Sequence, residues 1–150
     1  MKVILAPKVA HKWILDAVGY IPTPEIQCIA CITEPEKEGD PLIIHGMTAL
    51  DMWTDNSVQA HICIEDPKCA RKLVRATMQY AYACGKDVVI GVTPGDLPEA
   101  KRFMKGIGFV ELCRIKDGNR KGVDTIISEQ RKENSRWAEK PVEEKAVEAA

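Results

Sequence analysis

The sequence predicts an α/β (α+β) domain in which one mixed central β-sheet carries helices on both of its faces. Apolar residues recur with the period of a strand in some segments and of a helix in others, in the order β-α-β-β-β-α-β-α-β-β. Consecutive strands predict an antiparallel meander, and the later strand–helix–strand unit makes the sheet mixed. The segment DVVIGVT at 87–93 is almost continuously apolar, which is typical of a strand covered on both faces.

The composition fits one domain. The chain has 150 residues, 45% of them hydrophobic, with 21 basic and 22 acidic side chains. A chain of this length buries roughly 70% of its unfolded surface, and its even charge balance argues against a nucleic-acid-binding protein. No apolar run approaches the ~20 residues of a membrane span or forms a signal peptide. The six cysteines do not form a disulfide scaffold, so we expect reduced thiols and a cytoplasmic location.

The first half of the chain predicts four strands and one helix. Pro7 at the first turn and Gly19 at the end delimit the helix. The fourth strand alternates most regularly, with Ile62 and Ile64 on one face and His61 on the other. The predicted elements are strands at 2–5, 27–33, 42–51 and 58–65 and a helix at 7–18 that buries Val9, Trp13, Ile14 and Ala17.

The second half predicts two helices, the buried strand and a hairpin. Asp66 is a suitable N-cap residue and Pro67 fits the first helical position, so a long helix begins there and ends at Gly85. Asp96 and Glu99 have the spacing of a capping box, which predicts a second helix ending near 106–108. A hairpin of strands 109–115 and 123–128 is predicted to turn around Asp117, Gly118 and Asn119. The buried face of the long helix that ends at Gly85 is predicted to consist of Cys69, Ala70, Leu73, Val74, Thr77, Tyr80, Ala81 and Cys84.

From residue 130 the chain changes character. The segment 130–150 is rich in charges of both signs and has one large apolar side chain, Trp137. Such a segment cannot form a core alone. We therefore predict a domain at 1–129 and a charged C-terminal tail at 130–150 that is mobile or depends on a partner.

Two segments carry a resemblance to a known family. One is VQAHICIEDPKCARKLVRATMQYAYACG at 58–85, a strand, a turn and a helix. The other is TPGDLPEAKRFMKGIGFVEL at 93–112, which contains the pair Gly108 and Phe109. Together with the strand order over residues 1–129, they resemble the GNAT family of acetyltransferases. The resemblance implies a V-shaped cleft beside the central strand, where acetyl-CoA binds.

The resemblance also implies how acetyl-CoA is held. The pantetheine arm would pair with the backbone of Ile62, Cys63 and Ile64. The pyrophosphate would lie in the loop 65–71, where the N–H groups and the dipole of the following helix favour an anion. The residues expected in this loop are Lys68, Cys69, Ala70 and Arg71.

The chain departs from the family's pattern at two places. The family's phosphate loop reads Gln/Arg-x-x-Gly-x-Gly/Ala, and this chain has Glu65, Lys68 and Ala70 at those positions. The carboxylates of Glu65 and Asp66 add negative charge there, although carboxylates at a helix start also serve as caps. The tyrosine that often protonates the leaving thiolate in the family is replaced by Met104, which has no proton to donate.

His61 and Glu65 are the candidate bases for acyl transfer. An amine would attack the thioester directly, and a base whose pKa lies near the working pH favours histidine. His61 on the central strand is the first candidate and Glu65 the second. The alternative for His61 is a structural role, and His45 and His11 have weaker claims.

Cys28 and Cys31 have the CxxC spacing of metal and redox sites. A strand directs positions three apart to opposite faces, so we interpret both as core residues and predict no metal site. Cys69 stands where a helix start lowers a thiol pKa, but its place on the buried stripe favours packing. Trp53 either borders the cleft or belongs to the core.

Two functions remain open. The first is an acyltransferase that moves an acetyl group from acetyl-CoA to an amine. The alternative is a catalytically degenerate protein of the same fold, a structural or binding module such as a phage virion component. In that alternative, side chains fill the cleft, and the tail binds a protein partner or a second copy through Trp137. Neither function involves nucleic acid or a membrane.

Overall fold

The computed structural model, which describes residues 1–139, contains one sheet of seven strands and three α-helices. The strands are β1 (Lys2–Leu5), β2 (Gln27–Thr33), β3 (Ile43–Asp51), β4 (Ser57–Ile64), β5 (Val88–Pro94), β6 (Val110–Arg120) and β7 (Val123–Arg131). The helices are α1 (Lys12–Val18), α2 (Ala70–Ala83) and α3 (Pro98–Gly106), and three short 3-10 turns occupy Lys8–Ala10, Pro67–Cys69 and Lys132–Asn134. None of these described helices is long and apolar enough to cross a membrane.

The strands lie in the order β1-β2-β3-β4-β5-β7-β6. The first four form the predicted antiparallel meander. β4 and β5 are parallel and joined through α2, whereas β7 runs antiparallel to both of its neighbours, β5 and β6. The predicted mixed central sheet is therefore confirmed.

Helices cover both faces of the sheet, as predicted. α2 and α3 lie on one face, where Leu73 and Met78 are fully buried and Met104 packs against the same cluster. α1 lies on the other face and buries Ile14. Each face thus has its own hydrophobic core, and the sheet separates the two.

The first helix is shorter than predicted. Residues 8–10 form a 3-10 turn before α1 begins, and this turn has a different period from an α-helix. Val9, predicted on the buried face, is instead 86% exposed. Gly19 ends the helix as predicted, with φ at 68° and its N–H bonded to the carbonyl of Leu15.

The last hairpin turns later than predicted. β6 continues to Arg120, and β7 begins at Val123, so the turn lies at residues 121–122 rather than around Gly118. Asp117 is an irregularity within the strand, with φ at 55° and its N–H donating to Asp124. The predicted capping box is also wrong: Leu97 is the N-cap residue of α3, and Asp96 forms an ion pair with Arg120.

Residues 130–137 of the predicted tail belong to the folded domain. Gln130 lies at the end of β7 and is 3% exposed, and Trp137 is 7% exposed within the core on the α2 face. Gln130 Nε2 and Trp137 Nε1 both donate to the carbonyl of Ile107, at 2.9 and 2.8 Å. Trp137 is therefore unavailable as an anchor for a partner, which corrects that expectation. Residues 140–150 lie outside the described residues.

Replacing Trp137 by Ala should lower the free energy of unfolding by about 3–5 kcal/mol, because a buried ring and its hydrogen bond are removed. Ile21→Ala is the control, since the Ile21 side chain is 93% exposed. Its effect should stay within about 0.5 kcal/mol. Urea unfolding followed by circular dichroism measures both variants, and equal stabilities would contradict the placement of Trp137.

Candidate active site

β4 and β5 pair over only part of their lengths. Their parallel ladder runs from Ser57 opposite Val88 to Ala60 opposite Gly91 and stops there. Beyond that point, β4 stays paired with β3 as far as Ile64, while β5 stays paired with β7. The two strands therefore follow different neighbours and diverge, which opens a wedge-shaped cleft at their C-terminal ends.

The cleft has a volume of about 460 Å³. Its walls are the end of α1 with the residues that follow it, β4, β5, α3 and the far end of β6. Ile62 lines it from β4, Met104 and Phe103 from α3, and Asn119 from β6. No carboxylate lines it in the part of the chain that the structure describes. Apolar and neutral polar groups thus dominate this opening.

His61 lies on β4 and lines the cleft. The ring of Tyr20 stacks on it, with 4.3 Å between ring centroids and 21° between planes. Burial lowers the pKa of His61, and the negative charge of Asp51 opposes this effect in part. The imidazole is therefore neutral near pH 7 and able to accept a proton.

Tyr20 and Asp51 are site residues that sequence reasoning missed. Tyr20 follows the glycine that ends α1, and its hydroxyl lies 3.4 Å from a carboxylate oxygen of Asp51. Asp51 is fully buried and accepts hydrogen bonds from the N–H groups of Thr23 (2.9 Å) and Met52 (2.8 Å). Burial alone would raise the pKa of this carboxyl, but the hydrogen bonds from Thr23 and Met52 outweigh it and lower the pKa. An ionised Asp51 thus holds Tyr20 over His61.

Glu65, the second candidate base, lies apart from His61. Four residues along a strand separate the two by about 13 Å. The Glu65 side chain is exposed and does not line the cleft. The structure therefore does not bring the two predicted bases together, and His61 is the one that faces the opening.

The backbone of β4 is unpaired on its β5 side beyond the end of the ladder, and Ile62 of this stretch lines the cleft. Ile62, Cys63 and Ile64 have partners on β3 but none on β5. This arrangement places a strand edge beside the opening, where an extended amide-containing chain could pair with it. The roles predicted for these three residues stay predictions.

The start of α2 offers few donors to an anion. The side chain of Asp66 acts as the predicted cap. The backbone N–H groups of Glu65 and Asp66 donate to the carbonyl of His45, at 2.9 and 3.0 Å. The N–H of Lys68 donates to the side chain of Asp66, and the N–H of Cys69 donates to the carbonyl of Asp66, both at 3.0 Å. The N–H of Ala70 donates to the carbonyl of Pro67. Every backbone N–H group from residue 65 to residue 70 therefore already has an acceptor within the chain. Pro67 has no N–H group to offer. The exposed side chains of Lys68 and Arg71 supply positive charge instead.

Met104 occupies the cleft wall where the resemblance implies a tyrosine. A Cβ atom at position 91 would collide with its terminal methyl group, so Gly91 leaves the room that Met104 fills. α3 therefore presents no hydroxyl at this point. Tyr20, on another wall, is the only tyrosine among the described residues that line the cleft.

Cys28 and Cys31 pack in the core as predicted, whereas Cys84, predicted on the buried face of the long helix, is exposed. Cys28 and Cys31 are fully buried and belong to the cores on opposite faces of the sheet. No group of side chains suited to a metal ion occurs among residues 1–139. Burial raises the pKa of Cys69 to about 11, so this thiol is not activated by the helix start. Trp53 packs against Tyr80 on the α2 face, with 6.5 Å between centroids, and does not line the cleft.

Comparison with known proteins identifies the fold. No family model matches the sequence, and no curated protein matches it at a significant level. Solved structures do match. A Desulfovibrio desulfuricans protein classified with the GNAT acetyltransferases has a TM-score of 0.65 and 15% identity, over 87% of this chain and 98% of its own.

Two further matches were solved with ligands. The spermidine N-acetyltransferase of Vibrio cholerae, in complex with CoA and spermine, has a TM-score of 0.66 and 13% identity, over 87% of this chain and 94% of its own. A Salmonella typhimurium protein classified as an acetyltransferase, with its cofactor acetyl-CoA, has a TM-score of 0.56 and 15% identity, over 83% of this chain and 71% of its own. The chain has the GNAT fold, and at these identities the similarity establishes the fold alone.

The depressed pKa of His61 makes stability depend on pH. As the pH falls through about 6.5, the unfolded chain takes up a proton at residue 61 that the folded chain resists, so folding loses stability. The difference in unfolding free energy between wild type and His61→Gln should therefore decline from about pH 7.5 towards pH 5. Urea titrations at each pH measure it, and an NMR titration of His61 gives the midpoint directly. A constant difference would contradict the effect of burial.

Proposed function

We propose that the protein transfers an acetyl group from acetyl-CoA to an amine in the cleft between β4 and β5. The observation that carries this proposal is the divergence of the two strands beside a neutral histidine. The divergence of the two strands leaves the backbone of β4 without a hydrogen-bonding partner on its β5 side, next to His61. A strand edge for an amide-containing arm and a base for the acceptor thus share one opening.

The backbone of Ile62, Cys63 and Ile64 would hold the pantetheine arm. Its amides can pair with a strand edge as a further strand would. The cleft volume of about 460 Å³ and its largely apolar walls suit such an arm. This is where the residues present fit acetyl-CoA best.

The pyrophosphate would meet side chains rather than backbone. Lys68 and Arg71 are exposed cations at the start of α2, whereas the N–H groups of Cys69 and Ala70 are already bonded. Asp66 competes for the same place, because its carboxylate caps the N–H of Lys68. Binding at this end is therefore weakened by the cap.

Bound acetyl-CoA supplies the thioester that the acceptor amine attacks. His61 would take the proton that the amine nitrogen loses as its bond to the acetyl carbon forms. The carbon–sulfur bond breaks, and the CoA thiolate leaves with the electron pair. Such a thiolate is a stable leaving group near neutral pH, so Met104 in place of a tyrosine does not prevent the reaction. Tyr20, held by Asp51, keeps the ring of His61 in the cleft.

One observation favours the alternative of a non-catalytic module with the same fold. The start of α2 has its N–H groups satisfied internally, as a helix that binds no phosphate would. Neither the structure nor the comparisons support the narrower hypothesis of a phage virion component. For the enzyme we propose a cytoplasmic location, with acetyl-CoA and an amine as its substrates.

Acetyl-CoA should raise the melting temperature of the protein. At a hundredfold excess over the dissociation constant, binding to the folded state adds about 2.7 kcal/mol of stability. Lys68→Ala and Arg71→Ala together should reduce the shift. Differential scanning fluorimetry measures it, and no shift with millimolar acetyl-CoA would reject the enzyme in favour of the module.

If acetyl-CoA binds, His61→Gln should reduce turnover by about 10²–10⁴-fold while binding is retained. Glu65→Gln is the matched control and should leave turnover at saturating acetyl-CoA unchanged, because the side chain lies outside the cleft. Release of free CoA thiol measures the rate with a panel of amines. Unchanged turnover in His61→Gln would remove His61 as the base.

Removing the charge of Asp66 should tighten acetyl-CoA binding. Asp66→Ala frees the N–H of Lys68 and removes a carboxylate, and the lost cap should cost about 1 kcal/mol of stability. Asp66→Asn keeps a capping side chain and removes only the charge, so it separates the two effects. Isothermal titration calorimetry gives the affinities. Weaker binding in both variants would mean that Asp66 does not compete with the phosphates.

A further inference from the structure

β6 is an unusually open edge of the sheet. It has 11 residues and one neighbour, β7, so its other side has no strand partner among the described residues. Each of its residues is exposed. β1, at the opposite edge, has only 4 residues. A long exposed edge strand is a template for pairing with another chain, and proteins usually shorten or cover it.

Apolar side chains concentrate on this edge. Val110 is 63% exposed, Leu112 55% and Ile115 50%, all within six consecutive positions. Isolated exposed apolar residues need no explanation, but a group of them on an unpaired strand does. The edge therefore combines unpaired backbone with apolar contact surface.

The sequence of this edge is complementary to itself. A register shift at Leu112 brings Glu111 and Arg114 to the same face of the sheet, where they form an ion pair with Oε1 and Nε 2.6 Å apart. With Leu112 as the extra residue of the shift, an antiparallel alignment about a two-fold axis at Cys113 sets Glu111 opposite Arg114 of a second copy. The same alignment sets Val110 opposite Ile115 of that copy. Charges of opposite sign and apolar residues thus meet on both sides of the axis.

We propose that β6 pairs with β6 of a second copy of this chain to form a two-fold dimer with a continuous sheet. The partner is a second copy because one alignment brings both the opposite charges and the apolar residues of the two edges together. The groove between α3 and β6, with a volume of about 630 Å³, adjoins this edge. Its walls include Lys101 and Lys105 of α3, so the surface beside the edge is wider than a single strand.

The dimer also bears on the cleft. β6 carries Gly118 and Asn119 at its far end, and both line the opening between β4 and β5. Pairing at 110–115 would order the part of β6 that leads to this wall. The dimer itself does not depend on the proposed acetyl transfer, because its surface lies on the outer edge of the sheet.

Charge reversal tests the alignment. Glu111→Arg alone, or Arg114→Glu alone, places like charges opposite each other at two symmetry-related points and should raise the dimer dissociation constant about tenfold. The double variant E111R/R114E restores opposite charges and should restore the dimer. Sedimentation velocity of the full chain over a range of concentrations measures this, and circular dichroism controls for folding. A dimer dissociation constant that is the same in the wild type and in all three variants would overturn the alignment.

Cross-linking gives an independent test. Cys113 lies at the proposed axis, whereas Cys84, the other exposed cysteine among the described residues, lies at the end of α2. A short bismaleimide should join two chains in the wild type and in Cys84→Ser but not in Cys113→Ser. Cross-linking through Cys84 would overturn the proposal. A chain that stays monomeric at all concentrations would also overturn it and would mean that the irregularity at Leu112 keeps the edge from pairing.

Discussion

The structure depends on the different hydrogen-bonding partners of β4 and β5 on their outer sides. β4 is held by β3 along its C-terminal half, and β5 is held by β7 up to Pro94. Each ladder follows its own twist, so the two central strands can share hydrogen bonds only as far as Ala60 and Gly91. The cleft is the consequence. It needs no special loop, because strong pairing on the outer sides of both strands opens the sheet in its middle.

The start of α2 shows a competition between folding and binding. A helix start is stabilised when its N–H groups find acceptors within the chain, and here the side chain of Asp66 and nearby carbonyls supply them. A phosphate would need the same donors. The near-neutral net charge of the whole chain does not reveal the negative charges at the start of α2. Two carboxylates, from Glu65 and Asp66, stand where an anion would bind, and only Lys68 and Arg71 offset them.

Sequence patterns predicted the fold because each strand and helix carries its period within itself. The alternation in β4 and the apolar run of β5 need no knowledge of the rest of the chain. What failed depended on distant contacts. Trp137 looked like the anchor of a loose tail, yet it donates to a carbonyl 30 residues earlier. Tyr20 reaches His61 only because β4 lies beneath the end of α1, and no local pattern indicates this. The face of β4 on which His61 lies followed from the alternation of its strand, and its role as the base stays a prediction.

The long last hairpin connects the edge of the sheet with its central opening. β6 begins at the exposed edge, and its far end reaches the cleft through Gly118 and Asn119. An ion pair between Arg120 and Asp96 fastens that end to the residues that precede α3. The ladder with β7 shifts register at Leu112 and again between Ile115 and Arg120, so it does not run unbroken from the edge to the cleft. The wall of the cleft on the side away from His61 is therefore held by the ion pair of Arg120 with Asp96, and pairing of the edge would order only the part of β6 that precedes it.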